Sequence, residues 1–244
     1  MRESLALTRL LNYLFAGPVD GLLNMVGAHP AHPAAPINDA FALELLIAAL
    51  LLAFFVAVRL TLSVEKPAPV QQFAEMIHEF VGGQADQIIG HGYERFQSFA
   101  TIIFLFILSC NLIGLIPGVN SPTELESVTL ALATATFLYY NFYGFRFNGF
   151  VGYMKQFAGP VWWLAWLMFP IEVISHLARV MSLSVRLYAN MFAGGLVTLV
   201  FFSLIPVGVP VVFLGLHLFV SCIQAFVFTL LVMIYLSLAV SHDH

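Results

Sequence analysis

Residues 170–195, PIEVISHLARVMSLSVRLYANMFAGG, decide how this chain is read. Taken as a helix turning 100° per residue, they bring Glu172, Ser175, Arg179, Ser182, Arg186 and Asn190 within an arc of about 80°. One face of an otherwise largely apolar helix is therefore polar and ionisable. The apolar run continues to Leu204, and a helix from Pro170 to Leu204 would be about 50 Å long against a hydrocarbon core of about 30 Å. Such a helix must tilt steeply or break, with Gly194-Gly195 as its weakest point, and steep tilt is expected.

Composition supports a lipid solvent for the whole chain. Of the 244 residues, 61% are hydrophobic and 9% charged, and the mean hydropathy is +0.94. Soluble domains carry about 25% charged residues. The net charge of -4 is small and the nine Lys and Arg are scattered singly, which excludes a nucleic-acid partner. Cys110 and Cys222 lie inside apolar runs without ligand-like spacing and read as small hydrophobes, so neither a disulfide nor a metal is indicated. No P-loop is present, and no cofactor is expected.

Runs of about 20 apolar residues are read as spanning helices, because backbone polar groups in hydrocarbon must be satisfied internally. The runs are 40–61, 98–117, 127–146, 170–204 and 207–240. Residues 70–93 place Glu75, His78, Glu79, Asp86 and His91 among apolar residues at helical spacing, the pattern of a helix lying along the membrane surface. Arg9 interrupts the apolar stretch of Met1–Gly17 and no small-residue cleavage site follows. This segment reads as an amphipathic surface helix presenting Leu5, Leu10, Leu11, Leu14 and Phe15 rather than as a secretory signal. Three prolines in AHPAHPAAPIN, 28–38, make a connector. The expected fold class is an all-α membrane protein, with five transmembrane helices plus surface helices, the last two spans forming a long, strongly tilted hairpin. Residues 1–39 are the N-terminal surface segment and connector, and 40–244 the membrane domain.

Charge asymmetry orients the spans. Arg59, Lys66 and Arg95 fall between the first and second, and Arg146 and Lys155 between the third and fourth, so these connections should be cytoplasmic. The connections near 117–126 and 204–211 contain no Lys or Arg, and the former carries Glu124 and Glu126. The N-terminus is then outside, with Arg2 and Arg9 a mild violation, and the C-terminal SHDH inside.

An Arg near mid-span costs about 2.5–3.5 kcal/mol on insertion scales and stays protonated at working pH, so Arg186 should face a partner or a wet cavity. It can pair with a carboxylate of its own chain or with one on another polypeptide. Glu172 lies about 21 Å away along the same helix, out of reach, and most of the thirteen acids fall in loops, span ends or the surface helix. On the last span His217, Ser221 and Gln224 recur at i, i+4 and i+7. His217 reads either as a proton-exchanging group or as a structural His satisfied by a backbone carbonyl. Gln224 can hydrogen-bond Arg186 or a water, and Asn111 either glues helices together or lines a pore.

Four separated segments carry a resemblance. SLSVRLYANMFAGG (182–195) resembles the Arg-containing signature of F-type ATP synthase subunit a, and IQAFVFTLLVMIYLSLAVSHDH (223–244) its C-terminal helix; CNLIGLIPG (110–118) and SVTLALA (127–133) resemble two further segments in matching order. The resemblance covers roughly residues 40–244. It implies a stator subunit of a rotary ATP synthase in a bacterial inner membrane, not an enzyme by itself, partnered by the c-ring, the peripheral-stalk b subunits and membrane lipid. It further implies that Arg186 faces the ring with Asn190 and Gln224 beside it, that His217 and Asn111 line an outer half-channel, and that Glu172, Ser175 and Ser182 lie on the cytoplasmic approach. Many family members have a carboxylate or histidine where this chain has Gly195, and an Asn where it has Ser127. The outer path here therefore relies on His217 with water, or borrows Glu124 or Glu126. Proton is expected rather than sodium. The rival readings are a secondary transporter with a buried Arg/His site, which should show repeated halves, and a structural membrane anchor.

Overall fold

The computed structural model of the chain describes residues 6–25, 36–63, 66–116, 119–158, 162–204 and 208–240. Leu5, most of the proline-rich connector and the C-terminal SHDH lie outside the described residues. Within them the regular structure is entirely helical: α1 (Ala6–Met25), α2 (Asp39–Leu60), α3 (Pro69–Ile89), α4 (Glu94–Ile113), a 3₁₀ turn (Pro122–Glu124), α5 (Glu126–Ala158), a second 3₁₀ turn (Trp162–Leu164), α6 (Ala165–Leu204) and α7 (Val209–Val240). By length and composition α2, α4, α6 and α7 are able to cross a membrane. The expected fifth span, 127–146, lies within α5, whose Thr, Tyr and Asn residues make it less apolar than those four.

The chain forms two compact units, residues 1–55 and 56–244. In the first, the side chain of Asn12 takes both backbone groups of Ile37, its Nδ2 donating to the carbonyl and its Oδ1 accepting from the N–H, each at 3.0 Å. Thr8 Oγ1 donates to Asp39 Oδ1 at 2.5 Å. Leu11 packs with Ile37 and Ala42, which fixes the start of α2 on α1. Leu10, Leu14 and Phe15 of the expected apolar face are exposed.

In the second unit α7 is the central post, packed against α3, α4, α5 and α6. Its inward positions, His217, Ser221, Gln224, Ala225, Phe228, Val232 and Leu236, follow the 3.6-residue period. Ala225, Phe228, Val232 and Leu236 meet Ile103 and Ile107 of α4, Ala133 and Tyr140 of α5, and Leu183, Leu187 and Met191 of α6 in one core. Helix α3 starts with Pro69 at its first turn, ends at Gly90 with φ 75°, and buries Ile77, Val81 and Ala85. Gln97 Nε2 of α4 donates to the carbonyl of His78 at 2.8 Å and holds it there.

Two boundaries differ from expectation. α5 extends to Ala158 in two pieces: the first helix stops at Gly149 (φ 68°, ψ 166°), where the chain turns, and a short second helix folds back. Tyr153 then lies over Gly144, where an added Cβ would stand 2.5 Å from the ring, and its hydroxyl donates to Asn141 Oδ1 at 2.9 Å. α6 begins at Ala165, so Pro170 lies inside the helix rather than at its start. A proline there removes a single hydrogen bond, to the carbonyl of Trp166, and the helix absorbs it near its end. α6 also continues unbroken through Gly194-Gly195. Its 40 residues make a rod about 60 Å long, and Phe201 stacks on Phe213 of α7 with ring centroids 4.1 Å apart near the hairpin turn.

Candidate functional site

The polar stripe of α6 divides into two parts. Arg186, Ser182 and Asn190 are exposed, on a helix whose most apolar window is only 11% buried, against 44% for α4 and α7. α6 thus turns this part of its polar stripe, together with Met181 and Val185, out of the chain. Arg186 Nη2 donates to Ser182 Oγ at 3.3 Å, one helical turn away. Among the described residues no carboxylate lies within ion-pair distance of its guanidinium. Asn190 Nδ2 donates to Gln224 Oε1 of α7 at 2.6 Å, so the partner of Gln224 is Asn190 and not Arg186.

Toward the N-terminal end of α6, Glu172 is engaged locally. Its Oε1 accepts from Arg179 Nη2 at 3.3 Å and stands 3.4 Å from His176 Nε2. The other nitrogen of that ring, Nδ1, is 3.1 Å from the hydroxyl of Tyr140 on α5. With the ring proton on Nε2, directed at the acceptor-only carboxylate, the Nδ1 of a neutral ring accepts from the phenol. Arg179 also lies over the ring of Tyr235, 5.6 Å from its centroid. Ser175 is half-buried beside this group. His176 and Tyr140 were not among the expected site residues. The spacing Glu172–His176 was a visible i, i+4 signal, whereas Tyr140 sits in an aromatic-rich helix with nothing local to single it out.

At the other end, Asn111 is fully buried and acts as a joint between elements. Its Nδ2 donates to the carbonyl of Ser221 on α7 at 3.3 Å, and its Oδ1 accepts from Thr123 in the first 3₁₀ turn at 2.7 Å. Ser121 adds a 2.7 Å bond to the carbonyl of Cys110. This turn delivers Glu124 to α6, where an added Cβ on Gly195 would stand 2.6 Å from Glu124 Oε1. Glu126 is exposed in the first turn of α5. The ring of His217 lies against Gly194, three of its atoms 3.2–3.3 Å from an added Cβ there. His217 is 4% exposed, and its Nε2 is buried without a hydrogen-bond partner among the described residues, so that nitrogen is not satisfied by a backbone carbonyl. Ser221 Oγ lies 3.8 Å from Met191 Sδ.

Long apolar helices, with an outward-facing permanent cation and further polar groups spaced along α6 on either side of it, are those of a multi-pass membrane protein. The pattern of the ATP synthase A chain family matches residues 41–237. The chain is 50% identical to ATP synthase subunit a of Koribacter versatilis over 244 residues, covering both proteins fully. It is 43% identical to that of Solibacter usitatus over 235 residues, 96% of this chain and all of the relative. With that of Bdellovibrio bacteriovorus it shares 45% identity over 170 residues, 70% of this chain and 74% of the relative. The chain belongs to the ATP synthase A chain family. It is a non-catalytic membrane subunit of an ATP synthase, engaged in proton transport.

Proposed function

We propose that this chain forms the fixed wall of a rotary proton path, with Arg186 separating two half-channels that open on opposite faces of the membrane. Protons enter from the outer face past His217 and Asn111 and neutralise a mid-membrane carboxylate on a ring of c subunits, which then turns into lipid. Arg186, with Asn190 and Gln224 beside it, attracts each returning deprotonated carboxylate and blocks a direct leak between the half-channels. Protons leave past Glu172, Ser175 and Ser182 to the cytoplasm. The basic residues Arg59, Lys66, Arg95, Arg146 and Lys155 support a cytoplasmic side for their connections, with the N-terminus outside. The peripheral-stalk b subunits hold the chain still against the ring.

The observation that carries this reading is the exposed guanidinium of Arg186, which hydrogen-bonds to the neutral hydroxyl of Ser182. A permanent charge within a bilayer calls for a countercharge, and here the position that would supply it lies outside the chain. Each proton crossing 100 mV delivers about 2.3 kcal/mol, so several must pass per ATP made. The test is Arg186→Ala in the whole complex, reconstituted into vesicles. Proton-driven ATP synthesis should disappear, and synthesis at the native rate would reject the role.

A further inference from the structure

We propose that Glu124, carried on the 3₁₀ turn Pro122–Glu124, supplies the acid that α6 lacks at Gly195, and that it works with His217 as a two-group proton relay on the outer side of Arg186. The proposal rests on the functional reading above and deepens it.

Gly194 and Gly195 are consecutive, and each is occupied from outside its own helix. The imidazole of His217 rests on the first and the carboxylate of Glu124 on the second, so that a Cβ added at Gly195 would be 2.6 Å from Oε1 and 3.3 Å from the carboxyl carbon. Cβ atoms do not approach oxygen so closely, so the carboxylate uses the space of a side chain that is missing. An acid and a base from two different elements thereby meet neighbouring positions of the helix that bears Arg186. The glycine pair lies about two and a half turns from Arg186 along α6.

The turn that brings Glu124 is rigid. Thr123 is fully buried and bonded to Asn111, Ser121 is bonded to the carbonyl of Cys110, and the N–H of Glu124 donates to the carbonyl of Ser121 at 3.0 Å. Glu124 itself is half-buried, between the exposed end of the turn and α6. Glu126, the other acid of this connection, is exposed and takes no part. The receiving atom is His217 Nε2, buried and without a partner among the described residues. A protonated Glu124 gives up its O–H proton, an N–H bond forms at Nε2, and carboxylate and imidazolium result. The imidazolium then releases that proton toward the rotor carboxylate and returns to its neutral form, while Glu124 is reprotonated from the outer water.

The experiment is a crossed pair of substitutions, read as proton-driven ATP synthesis by the whole complex in vesicles, normalised to the amount of this chain in assembled complex. Glu124→Gln keeps the shape and removes the titrating group, and should slow synthesis by about tenfold or more, as Glu124→Ala should. Gly195→Glu alone should also slow it, because its side chain runs into the carboxylate of Glu124. Glu124→Ala combined with Gly195→Glu should recover a rate within about threefold of native, since one acid again occupies the one space. A merely structural role for the turn does not produce recovery by an acid on α6. Native rates in Glu124→Gln, or a combination no faster than the slower single variant, would overturn the proposal. Arg186→Ala measured alongside separates the two readings: if it is inactive while Glu124→Gln is native, the relay alone fails, and if it is active, the wider assignment fails.

Discussion

Replacing Tyr140 with Phe removes one oxygen from the chain that runs from Tyr140 through His176 to Glu172, and leaves the ring in place. Tyr140 is 2% and His176 8% exposed, so water does not take over the lost bond. A buried polar atom left unpaired costs about 1–3 kcal/mol in soluble proteins. Interhelical hydrogen bonds in a bilayer are worth about 0.6 kcal/mol on average and up to about 1.7. The Tyr140–His176 pair is buried on both sides and joins α5 to α6, which places it toward the upper part of that range, at about 1 kcal/mol. The measurement is a double-mutant cycle of Tyr140→Phe, His176→Leu and their combination. Unfolding of the detergent-solubilised chain by sodium dodecyl sulfate is followed through its helical circular dichroism. The coupling should stabilise the native state by about 1 kcal/mol, a factor of about five in the equilibrium constant. Coupling below about 0.3 kcal/mol, the level at which independent sites add, would refute the pairing.

Gly149→Ala puts a side chain at φ 68°, ψ 166°, a region open essentially to Gly, and should cost about 1–3 kcal/mol in the same unfolding assay, by straightening or straining the reversal after α5. Gln224→Leu removes the 2.6 Å bond to Asn190 but no charge, so ATP synthesis should fall by about fivefold or less, in keeping with about 1 kcal/mol for one hydrogen bond, whereas complete loss would mean that Gln224 does more than orient Asn190.

Much of the architecture is legible in the sequence because apolar runs of spanning length have few alternatives in lipid. The polar stripe of α6 was legible for a related reason: helical periodicity is a local property, and Arg186, Ser182 and Asn190 do share its exposed side. What escaped is what local periodicity does not encode. The apolar run starts at Pro170 in the sequence reading, yet five residues before it are helical and the lost bond is tolerated. The second half of α5 was hidden by Gly149, whose unusual backbone lets the chain fold back through a contact between Gly144 and Tyr153. The joints Asn111–Thr123, Tyr140–His176 and Asn190–Gln224 connect elements 12, 36 and 34 residues apart, and each needed the packed helices to become visible.

Two bare α-carbons in succession make the wall of α6 behave as a socket. What fills a socket is chosen by the neighbouring part, so the chemistry at that depth is set by a three-residue turn and by one position on α7. The long rod carrying the guanidinium can therefore keep its own sequence while the groups plugged in beside it are exchanged.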